Sequence, residues 1–191
     1  MASLFRLRRS RGSADLAIGM AGVRLGERVL QAGAGVARVF ALIASKVGLT
    51  GRACAVVDAN AAAQRIEMAA AREGVLVEVA TVEHGSWPYD RAAFDLGIVD
   101  GNVLLAADAA SRHLRLQEMQ RVVRPGGRVL VVHRAPLGLA GRLGFASSRP
   151  GPSARGEALV EAVQRAGFRP VRLLAEREGM TFIEGFRPAV I

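Results

Sequence analysis

The chain has 191 residues, 51% of them hydrophobic and 23% charged, the proportions of an ordinary globular domain, which excludes a disordered, collagenous or low-complexity protein. Its single cysteine, Cys54, cannot close an internal bridge, so a disulfide framework and a multi-cysteine zinc site are excluded as well. The net charge is +9, and every basic residue except Lys46 is an arginine.

Residues 1–12 form a basic arm in which Arg6, Arg8, Arg9 and Arg11 meet no acid; the rest, 13–191, reads as one mildly basic domain. Such a charge attracts polyanions without choosing among them. Nucleic acid is not the expected partner, because no basic stripe interleaved with aromatics accompanies it. The Arg8-Arg9 pair resembles a twin-arginine export signal, but Gly-Ser-Ala-Asp follows it where an apolar run is needed, so the chain reads as cytoplasmic. The most apolar long stretch, Val29 to Gly48, is interrupted by Gln31, Arg38, Ser45 and Lys46, and no membrane span is expected.

Residues 13–26 read as a short helix or irregular cover. Arg28-Val29-Leu30-Gln31 is a short strand that stops at Ala32-Gly33-Ala34-Gly35, and Val36, Val39, Phe40, Ile43 and Val47 then fall on one face of a helix over 36–47. A second strand, 52–57, ends on Asp58. An alanine-rich helix follows from Asn60 to Arg72, with Gly74 as its stop. Val75 to Val79 reads as a third strand, 82–93 as a loop in which Trp87 and Tyr89 pack around Pro88, and Phe94 to Asp100 as a fourth strand. A helix over Ala109 to Val123 is terminated by Arg124-Pro125-Gly126-Gly127, and Val129 to His133 is a fifth strand. Residues 135–155 form a long loop of the kind that covers binding sites. A helix from Glu157 to Arg165 stops at Gly167, and the runs Phe168–Ala175 and Met180–Phe186 form a closing hairpin.

Strands alternating with helices, and strands apolar on both faces, predict a doubly wound α/β domain: a mostly parallel sheet with an antiparallel element at its end. Ligands of such sheets sit outside the carboxyl ends of the strands, at the switch point. Those ends carry Gln31 to Gly35, Asp58, the Glu83-His84 loop and Asp100. The glycines admit a ligand close to the backbone, and the following helix offers free N–H groups. Asp58 follows the turn at about the distance at which an acid accepts bonds from ribose hydroxyls. Of the three histidines, His113 lies on a surface helix and His84 near the cofactor side. His133 ends the fifth strand toward the expected substrate cavity and is the better general-base candidate. Cys54 falls in a buried strand and reads as a small core residue.

From residue 27 to 187 the chain resembles the class I S-adenosylmethionine-dependent methyltransferases, especially the small-molecule type related to quinone biosynthesis. The resemblance rests on Phe94-Asp95-Leu96-Gly97-Ile98-Val99-Asp100, on the helix running through Leu116 to Val123 into Arg124-Pro125-Gly126-Gly127, and on Ala166-Gly167-Phe168 leading into the hairpin. It implies a Rossmann-like seven-stranded sheet with S-adenosylmethionine as cofactor and a small molecule as substrate. Gly33 and Gly35 would pass beneath the methionine part, Asp58 would hold the ribose hydroxyls, and Ala59 would flank the adenine. Glu83 or His84 would meet the adenine amino group, and Asp100 would stand beside the methyl-transfer site. The family's loop usually begins with Asp or Glu where this chain has Gln31, and its third glycine is here Ala37. The lost carboxylate removes a charge-assisted bond worth about 1.5–3 kcal/mol, or about tenfold to a hundredfold in affinity. Gln31 therefore keeps a second expectation open, a non-catalytic subunit of the same fold acting through protein contact. The segment ahead of Arg28 is too short for a large substrate-covering domain, so residues 13–26, the 135–155 loop, a partner chain or a second copy would close the pocket.

Overall fold

The computed structural model describes residues 15–82, 86–135, 153–177 and 179–189. In chain order these form a helical segment α1 (15–21), β1 (Arg28–Ala32), α2 (Ala37–Val47), β2 (Arg52–Val57), α3 (Asn60–Glu73), β3 (Glu78–Thr81), β4 (Phe94–Asp100), α4 (Gly101–Ala106), α5 (Ala109–Val122), β5 (Val123–Arg134), α6 (Ala154–Arg165), β6 (Val171–Arg177) and β7 (Met180–Phe186). The strands make one seven-stranded sheet in the order β3-β2-β1-β4-β5-β7-β6, parallel except that β7 runs antiparallel to both neighbours.

The alternation of side chains along the buried strands divides the core into two layers. Val29, Ala53, Ala55, Leu96, Ile98 and Val132 meet Val39, Phe40 and Ile43 of α2, Ile66 of α3 and Ala17 and Ala21 of α1. On the opposite face Leu30, Cys54, Val129, Val131 and Ile183 meet Leu104 of α4, Leu116 and Met119 of α5, and Leu159 and Val163 of α6. Cys54 is fully buried, and burial pushes its thiol up to about 11, so it is a core side chain. Trp87 and Tyr89 also pack into this second layer, Tyr89 edge-on to Phe94 at 5.0 Å.

Several elements depart from the sequence expectation; α6 opens at Ala154 rather than Glu157, and β6 at Val171 rather than Phe168. The third strand starts at Glu78, because Val75 to Val77 lead out of the left-handed Gly74 cap without pairing. A short helix, α4, occupies Gly101–Ala106, a stretch to which the sequence assigned no element; the Asp100 carboxylate caps it by accepting from the Asn102 N–H. The Arg124-Pro125-Gly126-Gly127 segment does not stand between helix and strand but lies inside β5, as an irregularity in its register with β4 between Phe94 and Leu96. It is sewn to the chain beyond β7 by Gly126 N–H to Arg187 C=O (2.9 Å) and Arg187 N–H to Gly127 C=O (2.8 Å).

The Phe94-Asp95 pair anchors this end of the sheet. Asp95 accepts from the Arg28 N–H at 2.8 Å and from Arg124 Nε at 2.6 Å. Partial burial would push its carboxyl up, but the Arg28 amide and the two guanidiniums outweigh it and hold the group below the usual carboxylate range. The most specific motif of the sequence is thus a structural clamp at the amino ends of β1 and β4, at the end of the sheet opposite the ligand side.

Candidate active site

The switch point lies between β1 and β4, which pair with each other while their connections leave to opposite sides. At the carboxyl end of β1 the chain must turn sharply before α2. Gly33 does this with φ +89, a conformation that disfavours a side chain. A Cβ there would also stand 3.0 Å from the Cβ of Asp100 and 3.2 Å from Val103 Cγ2. At Gly35 a Cβ would lie 2.1 Å from Asp100 Oδ2. The turn is therefore glycine because the Asp100 side chain, rising from the end of β4, packs directly against it. Asp100 Oδ2 accepts from the Gly35 N–H at 2.7 Å, while Oδ1 accepts from the Asn102 N–H at 3.0 Å.

Gln31, fully buried, completes the same cluster. Its Nε2 donates to the Gly33 carbonyl at 2.8 Å, and its Oε1 has no partner. Gln31, Gly33, Gly35 and Asp100 are thus brought together as the sequence predicts. On the next strand Asp58 stands exposed at the end of β2, where Arg115 of α5 reaches its Oδ2 at 3.3 Å. Ala59 is the N-cap of α3 and gives it no side-chain bond. Glu83 and His84, assigned to the adenine end, lie outside the described residues, as do 136–152 of the long loop.

His133 closes the β5 side. It is 3% exposed, and neither ring nitrogen has a partner among the described residues. A Cβ on Gly101 would stand 2.7 Å from the His133 Cβ, so the imidazole follows directly on the strand end that carries Asp100. Burial lowers its pKa, Arg155 of α6 adds to the lowering, and Asp100 and Glu176 oppose it; the balance leaves it below the ordinary histidine value. Glu176 is occupied by the start of α6, accepting from Ser153 N–H (2.9 Å) and Ser153 Oγ (2.7 Å). Arg115, Arg155 and Glu176 had no signal in the sequence, since only the packing of α5, α6 and β6 brings them to this end of the sheet.

Residues 30–131, more than half of the chain, match the family model described as a methyltransferase domain. The chain belongs to the class I methyltransferases. The matching description is that of the domain as a whole and does not single out the quinone-biosynthesis type. Solved methyltransferases share the fold. One is an S-adenosylmethionine-dependent methyltransferase from Aquifex aeolicus (TM-score 0.69, 16% identity, covering 90% of this chain and 88% of that one). Another is an S-adenosylmethionine-dependent O-methyltransferase from Thermotoga maritima (TM-score 0.65, 13% identity, 94% and 66%). A third is the provisionally assigned methyltransferase of a Haloferax volcanii complex with the Trm112 methyltransferase activator (TM-score 0.65, 15% identity, 93% and 89%). Comparison with curated proteins gives no match.

S-adenosylmethionine is the cofactor of this methyltransferase family, and the residues at the switch point fit it chemically. Its amino-acid end carries an ammonium beside a carboxylate, and the cluster offers a buried carboxylate and an amide oxygen with no partner among the described residues. Its ribose needs an acceptor, and Asp58 is exposed at the neighbouring strand end. Among the described residues no helix is long and apolar enough to cross a membrane.

Proposed function

We propose that the chain transfers a methyl group from S-adenosylmethionine to a nucleophile on a small molecule, with His133 as the proton acceptor. The observation that carries this reading is the buried His133 ring, whose nitrogens have no partner among the described residues, on the strand end packed against Gly101, the residue after Asp100, in a methyltransferase domain. Bound S-adenosylmethionine supplies an electrophilic methyl on a sulfonium. The chain aligns the nucleophile, and alignment alone contributes much of the rate in such displacements. His133, held neutral at pH 7 by burial and by Arg155, can take the proton that the nucleophile releases at either free nitrogen. Asp58 would hold the ribose hydroxyls in exchange for its exposed contact with Arg115, which is worth little to stability. The small-molecule class rests on the resemblance of the chain to the small-molecule type of the family.

Calorimetric titration with S-adenosylhomocysteine tests the cofactor reading. The wild type should bind, and Asp58→Ala should weaken binding about tenfold to a hundredfold, as expected for losing hydrogen bonds to a charged acceptor. No binding at millimolar ligand would end the proposal.

The role of His133 predicts a pH profile. Its pKa is lowered, so the neutral, proton-accepting form dominates at neutral pH. kcat should hold there and fall only as pH drops through that lowered value. His133→Asn should lower kcat by about a hundredfold or more and remove the acid limb. An unchanged limb in the variant would exclude His133 as the base.

A further inference from the structure

We propose that the amino end of the sheet, opposite the candidate active site, is a docking surface for an anionic lipid bilayer, formed by Leu25, Leu49 and Leu76 with Arg24, Lys46 and Arg72. Leu25 is 78% exposed, Leu76 is 95% exposed and Leu49 is fully so. Each belongs to the loop that enters one of three neighbouring parallel strands: Leu25 ahead of β1, Leu49 ahead of β2 and Leu76 ahead of β3. Arg28 pairs with Arg52 and Cys54 with Glu78, so the three loops leave the sheet at one end, and strands about 4.8 Å apart keep them close. The loops are also tied to one another. Gly26 N–H donates to the Val47 carbonyl at 2.8 Å, Arg52 N–H to the Glu27 carbonyl at 3.2 Å, and Arg52 Nη2 to Glu78 Oε2 at 2.6 Å. A Cβ on Gly48 would stand 2.5 Å from Leu25 Cδ1, so Leu25 lies against the residue that precedes Leu49. Single exposed leucines are ordinary, but three on adjacent loops make an apolar row.

Charge selects the occupant. A cation precedes each leucine: Arg24 directly, Lys46 in the last turn of α2 and Arg72 in the last turn of α3. All three are exposed, and among the described residues no ion pair includes them. Of the carboxylates in the same stretches, Glu27 is held by Arg128 and Glu78 by Arg52, which leaves Glu73 alone against three cations. Leucines that enter the acyl boundary between cations that stay at the phosphates suit an anionic bilayer. A second copy would bring like charges together. So would the chain's own arm, 1–12, with four arginines and no acid. Protein interfaces centre on aromatic anchors and are depleted in lysine, and these three loops carry no aromatic residue. Docked in this way, the carboxyl ends of the strands face away from the lipid and stay open to solvent.

Co-sedimentation of the full chain with vesicles tests this, using phosphatidylcholine alone and phosphatidylcholine mixed with phosphatidylglycerol. The wild type should pellet with the mixed vesicles and stay in the supernatant with the neutral ones. Leu49→Ser with Leu76→Ser should weaken binding at least tenfold, since burying one leucine is worth about that factor or more. Both side chains are exposed, so this variant should melt with the wild type. Lys46→Gln with Arg72→Gln should weaken binding about fivefold per charge, and added salt should act in the same direction. A wild type that ignores the mixed vesicles, or pellets equally with the neutral ones, would overturn the proposal. A full chain carrying Arg6→Gln, Arg8→Gln, Arg9→Gln and Arg11→Gln separates the arm from this face. Binding lost there and unchanged in the leucine variant would place the attraction in the arm and overturn the proposal. Leucine-dependent self-association in sedimentation velocity, without pelleting, would give the face to a second copy and overturn it as well.

Discussion

Gly35→Ala should lower thermal stability and S-adenosylhomocysteine affinity together. The added methyl would stand 2.1 Å from Asp100 Oδ2 and 2.9 Å from its Cγ, far inside contact distance. Asp100 is not a flexible tip that can swing away. Its Oδ1 caps α4 through the Asn102 N–H, and its Cβ already lies against Gly33. Moving it gives up the Gly35 bond and the cap at once. Overpacking of this kind costs about 1–3 kcal/mol, and a buried carboxylate left short of a donor costs about as much again. At about 2–4 °C per kcal/mol for a domain of this size, Tm should fall by about 5 °C or more. Gly19→Ala is the control, since a Cβ there meets nothing within 4 Å, and it should be neutral or slightly stabilising. Scanning calorimetry of both variants, with titration of the ligand, decides it. A Gly35→Ala protein that melts and binds like the wild type would show that the turn has room to yield.

The same cluster shows how far the sequence can be read. The strands were legible because a strand buried on both faces is apolar at most positions: Ala55, Ile98 and Val131 are fully buried, and each lies in an apolar run. The glycine turn was legible too, but its physical cause was not. Gly33 and Gly35 look like a cradle for a ligand, whereas their missing side chains make room first for Asp100, a residue more than sixty positions away. Residues that meet only in the fold leave no periodicity behind. For the same reason Arg115 and Glu176 were invisible. The misread segment has a local cause: Arg-Pro-Gly-Gly carries turn chemistry, and here it forms a break within a strand. Gln31 shows the reverse case. As a departure from a charged motif it suggests loss of function, yet its Nε2 donates to the Gly33 carbonyl while its Oε1 has no partner among the described residues.

Arg128→Ala should be strongly destabilising, at about 2–4 kcal/mol, because a partly buried ion pair would lose its cation. Arg128 opens the apolar part of β5, opposite Leu96 and Phe186, and from there its guanidinium reaches across to α1 and the loop after it. Nη2 donates to the Ala21 carbonyl and to the Gly22 carbonyl, both at 2.9 Å, and the fork meets both oxygens of Glu27 at 2.9 and 3.0 Å. The pair is 16% and 13% exposed, well below the range where ion pairs are worth nothing. With alanine at 128, the Glu27 carboxylate keeps only the Arg24 N–H at 3.1 Å, and two carbonyls at the end of α1 lose their donor. Lysine cannot restore this, since one ammonium has no fork to hold a carboxylate and two carbonyls together; Arg128→Lys should recover less than half of the loss. Glu27→Gln should cost less than Arg128→Ala, because its amide oxygen still accepts while the guanidinium keeps its two carbonyls. Denaturant unfolding of the two variants and their combination measures the coupling directly, expected at more than about 1 kcal/mol. Hydrogen exchange should show the amides of 15–21 opening first in Arg128→Ala, since α1 packs on α2 and the sheet through small residues, Ala17 and Ala21, and depends on this guanidinium for its fixed position. A coupling near zero would place α1's stability in those apolar contacts instead.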